Sequence, residues 1–156
     1  MEEEFSRELR GFDAVWQRVQ GKEQPVMAPA PQVLAELLRL EAAGAAEYSA
    51  LCRLSRGRGE DALRRMAAQC RENLRQLRAL WFLESGSTVL PEPPALPADG
   101  FLGYLRRAYL RESAAGAQYL AAAAGDREHA ELFTGLAKAC AQRRDKRASI
   151  AVSVWE

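Results

Sequence analysis

A chain of 156 residues, 48% of them hydrophobic, is long enough to bury a single core of its own. Lys plus Arg number 22 against 21 Asp plus Glu, so there is no global basic field to hold nucleic acid or an anionic membrane. The 3 cysteines, scattered at Cys52, Cys70 and Cys140, do not make a secreted disulfide framework.

The opening Met-Glu-Glu-Glu-Phe has neither the cationic nor the apolar region of a signal peptide. The charge-free stretch from Ser113 to Gly125 is too short and too rich in small residues to cross a bilayer. A cytoplasmic protein is expected. Phe5, Leu9, Phe12, Trp16 and Val19 then fall on one stripe of an amphipathic helix, which Gly21, Pro25, Pro29 and Pro31 bring to an end. Its aromatic face needs a cover, either the domain that follows or another molecule. A homodimer or a protein partner would therefore be met through this helix. Residues 1–30 are read as that helix and a linker, and residues 31–156 as one domain.

The first long helix of the domain is expected from near Pro31, a residue suited to a first turn, to about Arg56. Its inward stripe is Leu34, Leu37, Leu38, Glu41, Ala45, Tyr48 and Cys52, which puts Glu41 inside the apolar face. Such a carboxylate is costly unless it is paired. Gly57 and Gly59 mark a turn, and Asp61 suits the start of the next helix. That second helix turns Leu63, Met66, Cys70, Asn73, Leu74, Leu77 and Trp81 inward and leaves Arg64, Arg65, Arg71, Arg75 and Arg78 as a solvated face.

Pro91, Pro93, Pro94 and Pro97 occupy the stretch from Ser85 to Gly100. In a polyproline-like path this stretch reaches roughly 50 Å, more than the length of about 36 Å for a helix like the first. It can cross the whole length of a bundle. The third helix, from about Phe101 to Ala124, points Leu105, Tyr109, Glu112, Gly116, Tyr119 and Ala123 inward. Gly125-Asp126 turns the chain, and a fourth helix carries Phe133, Leu136, Ala137, Cys140, Arg143, Arg147, Ile150 and Val154 on its inner side. His129, the single histidine, lies near its start, where Asp126-x-x-His129 reads as a cap with a surface imidazole.

The chain repeats itself. Glu41-Ala-Ala-Gly-Ala-Ala-Glu-Tyr48 returns as Glu112-Ser-Ala-Ala-Gly-Ala-Gln-Tyr119, and Met66-Ala-Ala-Gln-Cys70 as Leu136-Ala-Lys-Ala-Cys140. Residues 31–84 and 101–154 are thus two copies of one helical hairpin. Small residues around Gly44 and Gly116 would let the first and third helices approach closely, and the glycines themselves would relieve crowding there.

An all-α fold of two short-looped hairpins joined by a long crossover has the connectivity of ferritin-like four-helix bundles. The paired Glu-x6-Tyr, the small residues beside each glutamate, and Phe133-x2-Leu136-Ala137-x2-Cys140 make residues 31 to about 150 resemble the rubrerythrin branch of that superfamily. The N-terminal amphipathic helix is an addition to it. The resemblance implies a dinuclear iron site with single glutamates from the first and third helices and Glu-x-x-His from the second and fourth. It also implies peroxide-scavenging or iron-oxidising chemistry.

Carried over, Glu41 and Glu112 match the single glutamates, and Tyr48 and Tyr119 match tyrosines behind them. The remaining positions depart, reading Cys70-Arg-Glu-Asn73 and Cys140-Ala-Gln-Arg143. Glu41, Cys70, Asn73, Glu112, Cys140 and Arg143 are therefore expected to form a vestigial metal-site layer, with no cofactor. Arg143, a guanidinium that would repel a metal ion, is expected to serve as counter-charge to Glu112 and Glu41. With one cation facing two carboxylates, one glutamate is expected to keep its proton near neutral pH.

Cys70 and Cys140 leave three readings open: inert core residues, a disulfide or redox couple, or a mononuclear site with Glu41 and Glu112 for iron, manganese or zinc. Two functions follow. The first is a ferritin-like module without a metal centre, non-catalytic and kept for assembly or partner binding. The second is an oxidoreductase that uses a remnant metal or the cysteine pair.

Overall fold

The computed structural model describes residues 31–154, and among these the chain is helical with no strand. The helices are α1 (Pro31–Leu54), α2 (Glu60–Ser85), α3 (Phe101–Gly125) and α4 (Ala130–Ser153). The amphipathic helix expected within residues 1–30 lies outside the described residues. α1 packs on α2 and α3 on α4, and the two hairpins meet where α1 approaches α3. No described helix is long and apolar enough to cross a membrane.

The turns form where the sequence supplies left-handed residues. Between α1 and α2 the backbone takes positive φ at Arg56 (50°), Gly57 (84°) and Gly59 (61°), a conformation that glycine adopts without a Cβ clash. Between α3 and α4 the buried Asp126 does the work with its side chain. Its Oδ1 accepts the N–H groups of Glu128 and His129 at 3.0 and 3.2 Å, and its Oδ2 meets His129 Nδ1 at 2.7 Å. Asp126 thus closes the turn ahead of α4 and is not its cap, since His129 holds the N-cap position without a side-chain bond to the helix, and the imidazole is partly buried, not on the surface.

Two apolar clusters fill the ends of the bundle. One gathers Leu34, Leu37 and Leu38 with Leu77, Leu80, Tyr119 and Phe133. The other gathers Tyr48 and Leu51 with Leu63, Met66, Leu105 and Ile150. α1 and α4 thus run from the first cluster to the second, and α2 and α3 run back. The segment 86–100 has no regular structure, yet Leu90 packs on the first cluster and Leu96 on the second. It therefore spans the bundle lengthwise, tied at its ends by Trp81 Nε1 donating to the Val89 carbonyl (3.0 Å) and the Tyr104 hydroxyl donating to the Pro97 carbonyl (2.8 Å).

The inward faces of α2 and α4 follow the sequence pattern, and Arg64, Arg65, Arg71, Arg75 and Arg78 are exposed. α3 differs. Tyr109 is 45% exposed, whereas Tyr104, Ala108 and Arg111 are buried. Both Arg111 and Glu112 face inward, and a helix rolled to bury that adjacent pair carries Tyr109 to the outside.

Candidate functional site

Between the two apolar clusters lies a buried polar layer. It takes Glu41, Glu47 and Tyr48 from α1, Asn73 from α2, Arg111, Glu112 and Tyr119 from α3, and Arg143 and Arg147 from α4. The tyrosines tie the halves together crosswise: the Tyr48 hydroxyl donates to Glu112 Oε1 and the Tyr119 hydroxyl to Glu41 Oε1, each at 2.7 Å. Each tyrosine lies two turns beyond the glutamate of its own helix. Because helical side chains lean toward the N-terminus, its hydroxyl comes back to the level of the opposite helix's carboxylate.

Arg143 faces Glu112 edge-on, with Nε donating to Oε1 at 2.8 Å and Nη2 to Oε2 at 3.0 Å. Its Nη2 also lies 3.6 Å from Glu41 Oε1 and 3.4 Å from Cys140 Sγ. Glu41 Oε1 further accepts from Asn73 Nδ2 at 3.1 Å. Glu41, Asn73, Glu112, Cys140 and Arg143 are thus joined directly. Cys70 is buried in the same interior, within the field of Glu41 and Arg143.

Two further guanidiniums complete the layer. Arg111 Nε donates to Glu47 Oε2 at 2.8 Å and Nη2 to Glu112 Oε1 at 3.3 Å. Arg147 Nη1 donates to the Tyr48 hydroxyl and lies 3.7 Å from Glu112 Oε1. The Tyr48 ring carries both cations, with guanidinium carbons 5.3 Å (Arg111) and 5.5 Å (Arg147) from its centroid. The expectation of one cation for two carboxylates is therefore corrected. Arg111, Arg143 and Arg147 share the buried layer with Glu41, Glu47 and Glu112, three guanidiniums to three carboxyl groups.

The electrostatics follow from that balance. Burial by itself would raise the Glu112 carboxyl, but the Arg143 hydrogen bonds, the charges of Arg111 and Arg143, and the Tyr48 hydroxyl bring it down to about 2. Glu112 is therefore not a glutamate that keeps a proton near neutral pH. Burial and the neighbouring glutamates push both tyrosine hydroxyls well above their ordinary value, so they remain donors. Burial likewise pushes the Cys70 and Cys140 thiols far up, helped by Glu41 and Glu112 respectively. Neither thiol is a ready nucleophile. Arg147 is the least compensated cation, pushed down mainly by burial, with Nε and Nη2 buried and unpartnered.

Arg111 and Glu47 escape a reading based on the ligand positions of a metal site, although the repeat carries a signal for both. Arg111 stands where the first half has Leu40, and Glu47 stands where the second half has Gln118. The first copy carries the anion and the second the cation, and the structure pairs them. Gly44 belongs to the same adjustment. A Cβ there would lie 2.7–3.0 Å from the guanidinium atoms of Arg111, whereas one at Gly116 would meet only Cys140 Cβ at an ordinary 3.7 Å. The two glycines are therefore not equivalent. Gly116→Ala is expected to raise stability by up to about 1 kcal/mol through helix propensity, and Gly44→Ala to lower it. Chemical denaturation of the two variants tests this, and equal shifts would contradict it.

The donor set does not fit a dinuclear iron centre. Both Glu112 oxygens are committed to Arg143, three guanidiniums occupy the layer, and Glu41 Oε2 is the one buried carboxylate oxygen there without a partner. Among the described residues no group of three or more His, Cys, Asp or Glu is placed to hold a metal ion. No family model matches the chain, and no curated protein or solved structure matches it either.

Proposed function

We propose that this chain is a ferritin-like bundle in which an internal arginine–glutamate layer stands in place of a dinuclear metal centre, and that it acts as a non-catalytic structural or interaction module. The reading rests on the repeated Glu-x6-Tyr hairpins and on the two-hairpin connectivity with its lengthwise crossover. The observation that carries it is the edge-on closure of Arg143 over both oxygens of Glu112. A guanidinium so placed supplies in protein form the positive charge that paired glutamates otherwise take from metal ions. Partner or self-association is assigned to the amphipathic stripe from Phe5 to Val19.

Metal analysis and thiol titration test this together. Protein purified without chelator is expected to carry iron, manganese and zinc far below one atom per chain. In the native state Cys52, partly buried, is expected to react first with a disulfide reagent, with Cys70 and Cys140 protected until the bundle unfolds. Near-stoichiometric metal, or a Cys70–Cys140 disulfide formed under mild oxidant, would favour the oxidoreductase reading instead.

A further inference from the structure

The bundle is closed on one side and open on the other. α1 and α3 approach closely, but among the described residues α2 and α4 are not a closely packed pair. A cleft of about 240 Å³ lies along this seam, lined by Arg65, Met66 and Gln69 of α2 and by Gln142, Arg143 and Lys146 of α4. Its polar lining is three cations and two amides, with no carboxylate. Arg65 and Lys146 are exposed and form no ion pair among the described residues.

Arg143 is different, being only 2% exposed and yet part of the lining. Its planar fork turns Nε and Nη2 to Glu112, so Nη1 points off that edge, and Nη1 is buried without a hydrogen-bond partner. A buried charged donor left unpaired is costly. A ligand that accepts hydrogen bonds and carries negative charge would remove that cost, and the flanking Arg65 and Lys146 would draw it in.

We propose that the α2–α4 seam binds a small oxyanion of the phosphate class, held at its mouth by Arg65 and Lys146 and at its floor by Arg143. Gln69 and Gln142 supply amide donors to the same group. The site does not depend on the loss of a metal centre, because Arg65, Lys146, Gln69 and Gln142 lie outside the buried layer. It connects the surface to the buried layer through one guanidinium.

Titration calorimetry of the full chain at fixed ionic strength and mildly alkaline pH, with inorganic phosphate and separately with glycerol phosphate, tests the proposal. Saturable binding of one anion per chain is expected for at least one of the two. The preferred one tells whether the free ion or a phosphomonoester is the better occupant. The double variant Arg65→Gln, Lys146→Gln alters only exposed side chains and is expected to weaken binding by about tenfold or more. Arg71→Gln with Arg75→Gln, on the same helix but outside the cleft, is expected to leave binding unchanged. Absence of saturable binding for both anions would overturn the site, as would equal weakening by the two double variants.

Discussion

Replacing Arg143 with alanine is expected to cost about 3–5 kcal/mol of folding stability, the usual consequence of stripping one partner from a buried ion pair. Arg143 is 2% exposed, makes both bonds to Glu112, and is the guanidinium nearest Glu41. Without it Glu112 keeps Arg111 and Arg147 at 3.3 and 3.7 Å, but Glu41 retains only the neutral Asn73 and Tyr119 among its bonded partners. Arg143→Lys is expected to recover part of the loss, because an ammonium restores charge but not the edge-on geometry. Urea denaturation at neutral pH measures both. A loss below about 1 kcal/mol for the alanine variant would refute the counter-charge role.

Acid is expected to destabilise the bundle through Glu112. Its folded-state value of about 2 lies below the ordinary 4.5, so its contribution is present in full above the unfolded value. It is then lost as pH falls from about 4.5 toward 2. A depression of this size corresponds to roughly 3 kcal/mol. Glu112→Gln is expected to remove most of that pH dependence. At neutral pH it is also expected to lower stability by a similar amount, because it leaves the three arginines facing only Glu41 and Glu47. Denaturation midpoints followed from pH 7 to pH 2 for wild type and variant decide it. Parallel curves would show that Glu112 is not the group linked to acid unfolding.

Equal numbers of guanidiniums and carboxyl groups set this layer apart from a cluster of metal ligands. Three carboxylates buried together without cations would repel one another and draw in metal ions or protons. Here Arg143 and Arg111 meet Glu112 within the second hairpin, while Arg111–Glu47, Arg143–Glu41 and the two tyrosine–glutamate bonds cross the boundary between the hairpins. A layer that is satisfied only when both hairpins are docked gives their pairing a specific register. The residual unpartnered atoms, Glu41 Oε2 and nitrogens of Arg143 and Arg147, mark where the layer is least complete. The anion cleft opens beside one of them.

The four helices, the turns at Gly57 and Asp126, and the interior position of Glu41 and Glu112 were all legible in the chain, because a 3.6-residue period places each side chain on a face without knowledge of its neighbours. The same periodicity put Cys70, Asn73, Cys140 and Arg143 on inner faces. Tyr109 shows its limit. A bulky apolar residue at suitable spacing was assigned inward, yet α3 buries Arg111 instead, whose partner Glu47 is 64 residues away in the chain.

By itself, then, the sequence determined which faces turn inward and that the two halves repeat, since both are local properties of spacing. Only the tertiary structure decided how many charges share the interior, which tyrosine bonds which glutamate, and that Gly44 makes room for a guanidinium. Those outcomes depend on distances between helices, and a charge balance is a sum over every group that arrives, including Arg111 and Glu47, which no single-helix pattern picks out.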